Sequence, residues 1–108
     1  MKRGDVVTVV TSGAYGKPRP ALVVQADAFE AIPSVTVLPL TSDLHDAGLV
    51  HLTVLLPDQQ SGLPVVSQVM VDKAITAPRS KVGAVIGRLD DETLRTVSVA
   101  PGKFLGLA

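Results

Sequence analysis

The chain has no cysteine and no tryptophan, only two phenylalanines and one tyrosine, and no surplus of either charge. Each scarcity removes a class of function. Without cysteine there is no disulfide scaffold, no thiol nucleophile and no zinc site built on thiolates, and a reducing, cytoplasmic setting is the expectation. With 3% aromatic residues, the composition argues against a stacking platform that holds single strands without sequence preference. Ten Lys and Arg against ten Asp and Glu leave a formal net charge of +0. Any nucleic acid must then be held by a few well-placed cations and not by a basic coat. Long apolar runs are missing too: stretches such as residues 35–40 are too short to span a bilayer, and Met1-Lys2-Arg3-Gly4-Asp5 lacks the apolar segment of a signal peptide. No membrane association is expected.

What the chain does have is 46% hydrophobic residues in a length of 108, enough for one domain spanning residues 1–108 and for more apolar surface than so small a body should leave exposed. A buried subunit interface is the simplest outlet. Nine glycines and eight prolines punctuate short β-branched runs, the rhythm of a small barrel or sandwich. Strands are predicted at residues 5–10, 21–25, 34–41, 49–56, 65–71 continuing to Ile75 with a bend at Asp72-Lys73, and 83–89. Pro39 cannot donate to a ladder and marks a strand end, bulge or edge. Residues 27–33 read as an irregular or helical excursion, and 78–81 as one helical turn. Asp90 offers an N-cap, with Asp91 and Glu92 in the first turn where the backbone dipole favours negative charge. The helix is predicted to reach about Ala100, burying Leu94 and Val97, before Pro101-Gly102 interrupts it and Phe104, Leu105 and Leu107 pack back on the sheet.

No nucleotide-binding glycine fingerprint, HExxH helix or paired-carboxylate motif is present. His45 stands in Ser42-Asp43-Leu44-His45-Asp46, where two acids could raise its pKa or help hold a cation, but a solvated loop histidine accounts for it better. His51 reads as a half-exposed strand residue. Two residues point to chemistry. Arg19, held extended between Pro18 and Pro20, presents an always-charged fork that matches two phosphate oxygens at once. Its alternative is an arginine paired with a nearby carboxylate or lying over the rim. Thr41, at the end of an apolar strand, is either a ligand contact or a turn residue.

The order of short motifs along the whole chain resembles the MazF/PemK family of toxin-antitoxin ribonucleases. The residues that carry the resemblance are Arg3-Gly4-Asp5-Val6-Val7, Arg19-Pro20-Ala21-Leu22-Val23-Val24, Val37-Leu38-Pro39-Leu40-Thr41-Ser42, Gly62-Leu63, Ser67-Gln68-Val69-Met70-Val71-Asp72-Lys73, Ile86-Gly87-Arg88-Leu89-Asp90-Asp91-Glu92 and Phe104-Leu105-Gly106-Leu107. The resemblance implies a mainly β fold, an SH3-like barrel with short helical insertions and a C-terminal helix, assembled as a homodimer. It implies cleavage of single-stranded RNA at a short sequence without metal or other cofactor, and neutralisation by a cognate antitoxin. The family's catalytic arginine falls on Arg19 and its catalytic threonine on Thr41, the same residues that the bare sequence singles out. Ser42 follows as an RNA contact.

The loop from Thr11 to Pro18 is shorter than in many members and lacks the usual Glu-Gln pair. Lys17 could serve there as a phosphate contact and Tyr15 as a base stack, or both are simply exposed loop residues. Met70 stands where some members carry a basic residue, and reads as core or interface. A different function on the same barrel is that of the CcdB branch, which binds and poisons DNA gyrase without catalysis. Its C-terminal tryptophan is missing here, whereas Arg19 and Thr41 are both in place.

Overall fold

A computed structural model describes residues 1–10, 17–44, 54–55 and 60–107. Tyr15, His45, His51 and most of the predicted strand at 49–56 lie outside the described residues. Among the described residues there are seven strands, β1 (Asp5–Val9), β2 (Arg19–Val23), β3 (Ser34–Thr41), β4 (Val54–Leu55), β5 (Ser67–Val69), β6 (Ile75–Pro78) and β7 (Val82–Arg88), followed by helix α1 (Asp91–Phe104). The pairing is antiparallel, in the order β4-β5-β3-β2-β1-β7 with β6 also on β3.

The predicted strand 3 has the bounds expected, and Pro39 explains its partners. One edge of β3 pairs with β2 throughout, as Ala21↔Pro39, Leu22↔Leu38 and Val23↔Val37. The other edge is divided: Ser34 to Val37 pair with β6, and Leu40 and Thr41 pair with β5. Pro39 sits at the division, so its missing N–H falls where no ladder partner is needed. The predicted strand running from 65 through 71 to Ile75 is therefore two strands. A 3-10 turn, Val71–Lys73, separates them: Met70 still donates its N–H to the Pro39 carbonyl at 2.9 Å, in the β3/β5 register, but Pro39 has no N–H to return the bond and the ladder ends there.

Both faces of the central strands are apolar, since alternate residues of β1, β2 and β3 enter two different clusters. Val6, Leu22, Leu38, Leu40, Val69 and Val71 meet Leu94, Val97 and Ala100 of α1. Val7, Val9, Ala21, Val23, Val35, Val37 and Ala77 form the second cluster from strands alone. These strand-only residues are at most 6% exposed, so the sheet itself bends around them. Register shifts between β1 and β7 on either side of Val7 are the irregularities that permit such a bend. The strand path does not close on itself among the described residues. Its nearest approach to closure is the segment after β4, where the Gln60 carbonyl accepts the Arg88 N–H at 2.7 Å. Gly62, at φ +72, and Gly87 make this approach possible, because a Cβ on either would overlap the facing backbone, Ile86 in one case and Ser61 in the other.

Asp90 caps α1 as predicted, accepting the Thr93 N–H at 2.6 Å, and Leu89 and Leu94 are both buried beside it. The helix does not stop near Ala100. It continues through Pro101 to Phe104, since a proline this near the end removes a single intrahelical bond. The stop signal is Gly106, at φ +75: its N–H bonds to the Lys103 carbonyl at 3.1 Å, and Leu107 bonds to Gly102 at 2.7 Å, the paired bonds of a Schellman ending. The extra turn carries Phe104, Leu105 and Leu107 away from the sheet. They do not pack back on it but stand 52%, 65% and 79% exposed.

Candidate functional site

The main cleft of the described residues, about 790 Å3, opens where β1 ends, β2 begins and β3 ends. Val9 and Arg19 are register partners across β1 and β2. The β2/β3 register that pairs Ala21 with Pro39, continued two residues, sets Arg19 across from Thr41 on the same face. Opposed residues of an antiparallel pair have Cβ atoms roughly 5 Å apart. Arg19, Thr41 and Ser42 all line the cleft, so three of the five residues singled out from sequence come together. Lys17 is exposed two positions before Arg19 and is not part of the lining.

Arg19 makes no ion pair or side-chain hydrogen bond among the described residues, and it is exposed. The alternative of an arginine paired with a carboxylate finds no such partner among the described residues. The flanking prolines leave the backbone extended, so the guanidinium is carried at the mouth of the cleft with its five donors unused. Thr41 closes β3 opposite Gln68, and its Oγ accepts the backbone N–H of Asp43 at 3.0 Å. A rigid sheet thus presents a fixed cation and a fixed hydroxyl to one space.

The far wall is Leu63, Pro64, Val65, Ser67, Met70, Lys73 and Ile75. Leu63 is buried while Val65 stays 49% exposed. Met70, read from sequence as core or interface, is half-buried and lines this wall. Two charged residues here went unassigned in the sequence: Lys73 and Asp43. Lys73 lay in a stretch read as a bent strand, and only the split into β5 and β6 brings it to the cleft. No group of three or more metal-ligating side chains occurs among the described residues. A cation with directional donors, a hydroxyl and mostly apolar walls suit an anionic, partly apolar substrate. A phosphate with bases attached is one.

Residues 2–101 match the family model described as PemK-like, MazF-like toxin of type II toxin-antitoxin system. A protein of Mycolicibacterium smegmatis described as "Probable endoribonuclease MazF" is 43% identical over 109 residues, covering 100% of this chain and 99% of that protein. Among solved structures, the Mycobacterium tuberculosis toxin MazF-mt6 superposes with a TM-score of 0.78 at 23% identity, over 96% of this chain and 98% of that one. A MazE-MazF complex from Deinococcus radiodurans gives 0.77 at 24% identity, over 100% and 97%. A mycobacterial endoribonuclease in complex with its cognate antitoxin gives 0.78 at 20% identity, over 100% and 97%. At those identities the structural likeness is one of fold. No helix among the described residues is long and apolar enough to cross a membrane.

Proposed function

Because the chain belongs to the PemK-like, MazF-like toxins of type II toxin-antitoxin systems, we propose that its cleft is the active site of an endoribonuclease that cuts single-stranded RNA at a short sequence. The observation that carries the reading is the meeting in one cleft of Thr41 and Arg19, which makes no ion pair among the described residues. The reaction is attack of a ribose 2′-hydroxyl on the adjacent phosphorus. The 2′-hydroxyl gives its proton to solvent as the P–O2′ bond forms, the P–O5′ bond breaks and the 5′ oxygen takes up a proton from solvent, leaving a 2′,3′-cyclic phosphate and a 5′-hydroxyl end. Charge builds on the phosphorane oxygens, and preorganised donors that meet it there lower the barrier most. Arg19 supplies the charge and hydrogen-bonds the leaving oxygen. Thr41 holds a non-bridging oxygen, and Ser42 extends that contact. Lys17 and Tyr15 are assigned to the incoming strand, the first at a phosphate and the second against a base. No metal enters this scheme.

Two protein partners belong to the proposal. A cognate antitoxin is the first, in line with the relatives solved in complex with theirs. The second is another copy of the chain. Val85, Val99, Phe104, Leu105 and Leu107 are each more than half exposed on a single copy, an apolar excess that a homodimer would cover. A reducing cytoplasm suits both partners. The gyrase-poisoning alternative is not favoured, since the relative matched over the full chain is described as an endoribonuclease.

The test is incubation of the purified protein with a long single-stranded RNA in EDTA, with sequencing of the new ends. Cuts at one short sequence, carrying 5′-hydroxyl ends and lost in Arg19→Ala and Thr41→Ala, are expected. Light scattering on the same sample should give twice the 11.2 kDa chain mass. A folded protein that cuts no RNA would overturn the reading.

A further inference from the structure

We infer that Lys73 is a second phosphate-binding residue, which holds the RNA backbone one step beyond the reacting phosphate; the inference rests on the proposed RNA site. Lys73 ends the 3-10 turn Val71–Lys73. That turn is fixed from both sides: Val71 is 2% exposed in the core beneath it, and Met70 is tied to the Pro39 carbonyl at 2.9 Å, with Lys73 N–H bonded back to Met70 at 3.1 Å. Pro39 lies two residues before Thr41. The lysine is therefore placed relative to Thr41 by the sheet and not by a loose loop.

The placement has a direction. Arg19 is on β2, Thr41 on β3, and the turn lies beyond β3 on the side opposite β2. Neighbouring strands are about 4.8 Å apart, so the backbone anchors of Arg19 and Lys73 are separated by roughly 10 Å. One phosphate cannot reach both comfortably, whereas a strand of RNA crossing β2, β3 and the turn would bring successive phosphates to each. The residue types suit the division. An arginine fork fits a reacting group whose geometry must be fixed, and a lysine on a flexible stem fits a phosphate that needs only charge.

Lys73 is available for this role. It lines the cleft with its side chain 59% exposed, and the carboxylate of the adjacent Asp72 is at 3.7 Å, a long ion pair that leaves the ammonium facing outward. Among the described lining residues the charged ones are Arg19, Lys73 and Asp43.

The experiment measures binding apart from cleavage, using a single-stranded oligonucleotide of mixed sequence, 2′-O-methylated throughout so that the attacking hydroxyl is blocked. Fluorescence anisotropy follows its affinity across a potassium chloride series. Lys73→Ala should weaken binding about tenfold and flatten the slope of log affinity against log salt by about 0.7, one phosphate contact on a single strand. Lys73→Arg should restore the slope. Lys103→Ala, which removes an exposed lysine from α1, should change neither. On cleavable RNA, Lys73→Ala should raise KM and leave kcat near the parent value. Parent affinity and slope in Lys73→Ala would overturn the inference. Lysine-dependent binding by a parent protein that cuts nothing would overturn the nuclease reading and leave this one standing. Absence of binding by the parent protein would overturn both.

Discussion

The backbone N–H of Asp43 donates to Thr41 Oγ at 3.0 Å. The hydroxyl oxygen thereby serves as an acceptor within its own turn, and its proton is left to donate into the cleft. A phosphoryl oxygen is the acceptor that this orientation suits. Thr41→Ser keeps both the turn and the donor, and should retain kcat within about tenfold. Thr41→Val keeps the shape and loses the donor, so kcat should fall on the order of a hundredfold. Single-turnover cleavage of an oligonucleotide containing the mapped cut site separates the two. Equal loss in both variants would mean that the methyl packing, and not the hydroxyl, is what matters.

Arg19 has no partner among the described residues to compensate for its replacement, and its flanking prolines hold the backbone. Arg19→Lys preserves charge but not the planar fork, which offers two parallel donors to a phosphate. The expected outcome is a kcat loss on the order of a hundredfold with KM changed much less, since the fork acts on charge that develops in the transition state. Near-parent kcat in Arg19→Lys would reduce its role to simple electrostatics.

Arg19 and Thr41 were legible in the sequence because strand ends, prolines and residue chemistry are local signals. Their meeting depends on a register across β2 and β3, and the Ala21↔Pro39 pair is not a local property. Pro39 was legible as an irregularity, but its meaning, the division of one strand edge between β5 and β6, required the fold. Lys73 escaped for the same reason. At the helix end the error had the opposite form. Pro101-Gly102 was given too much weight and Gly106 too little, although a left-handed glycine at the C′ position is a local signal. The exposure of Phe104 and Leu107 follows from that one extra turn.

Gly62 is where the bent sheet comes nearest to closing. Its φ of +72 lies in the left-handed region, and a Cβ there would overlap the Ile86 carbonyl. Both effects oppose Gly62→Ala, with combined destabilisation of about 3 kcal/mol. Gly106→Ala shares the left-handed backbone, at φ +75, but nothing lies within 4 Å of its Cβ, so about 1 kcal/mol is expected. Urea unfolding at neutral pH, compared at constant slope, measures both. Equal losses would show that the close approach at Gly62 relaxes without cost.

Asp90 makes the stability of α1 depend on pH in a defined direction. The neighbouring Thr93 hydroxyl and then the hydrogen bond from the Thr93 N–H, with the charge of Arg95 adding to them, hold its carboxyl below the ordinary value. A group depressed in the folded state stabilises fully above its unfolded value, near pH 4, and loses that contribution as pH falls through the folded value. The unfolding midpoint of the parent protein should therefore exceed that of Asp90→Ala by a constant margin from pH 5 to 8, and the margin should shrink below about pH 4. Asp90→Asn keeps an N-cap acceptor with no titrating group, so its margin over Asp90→Ala should stay flat through the same acid range. The difference between variants cancels every other carboxylate, which leaves Asp90 as the source of the pH-dependent part. A parent margin that does not narrow in acid would mean that the cap acts through its geometry alone.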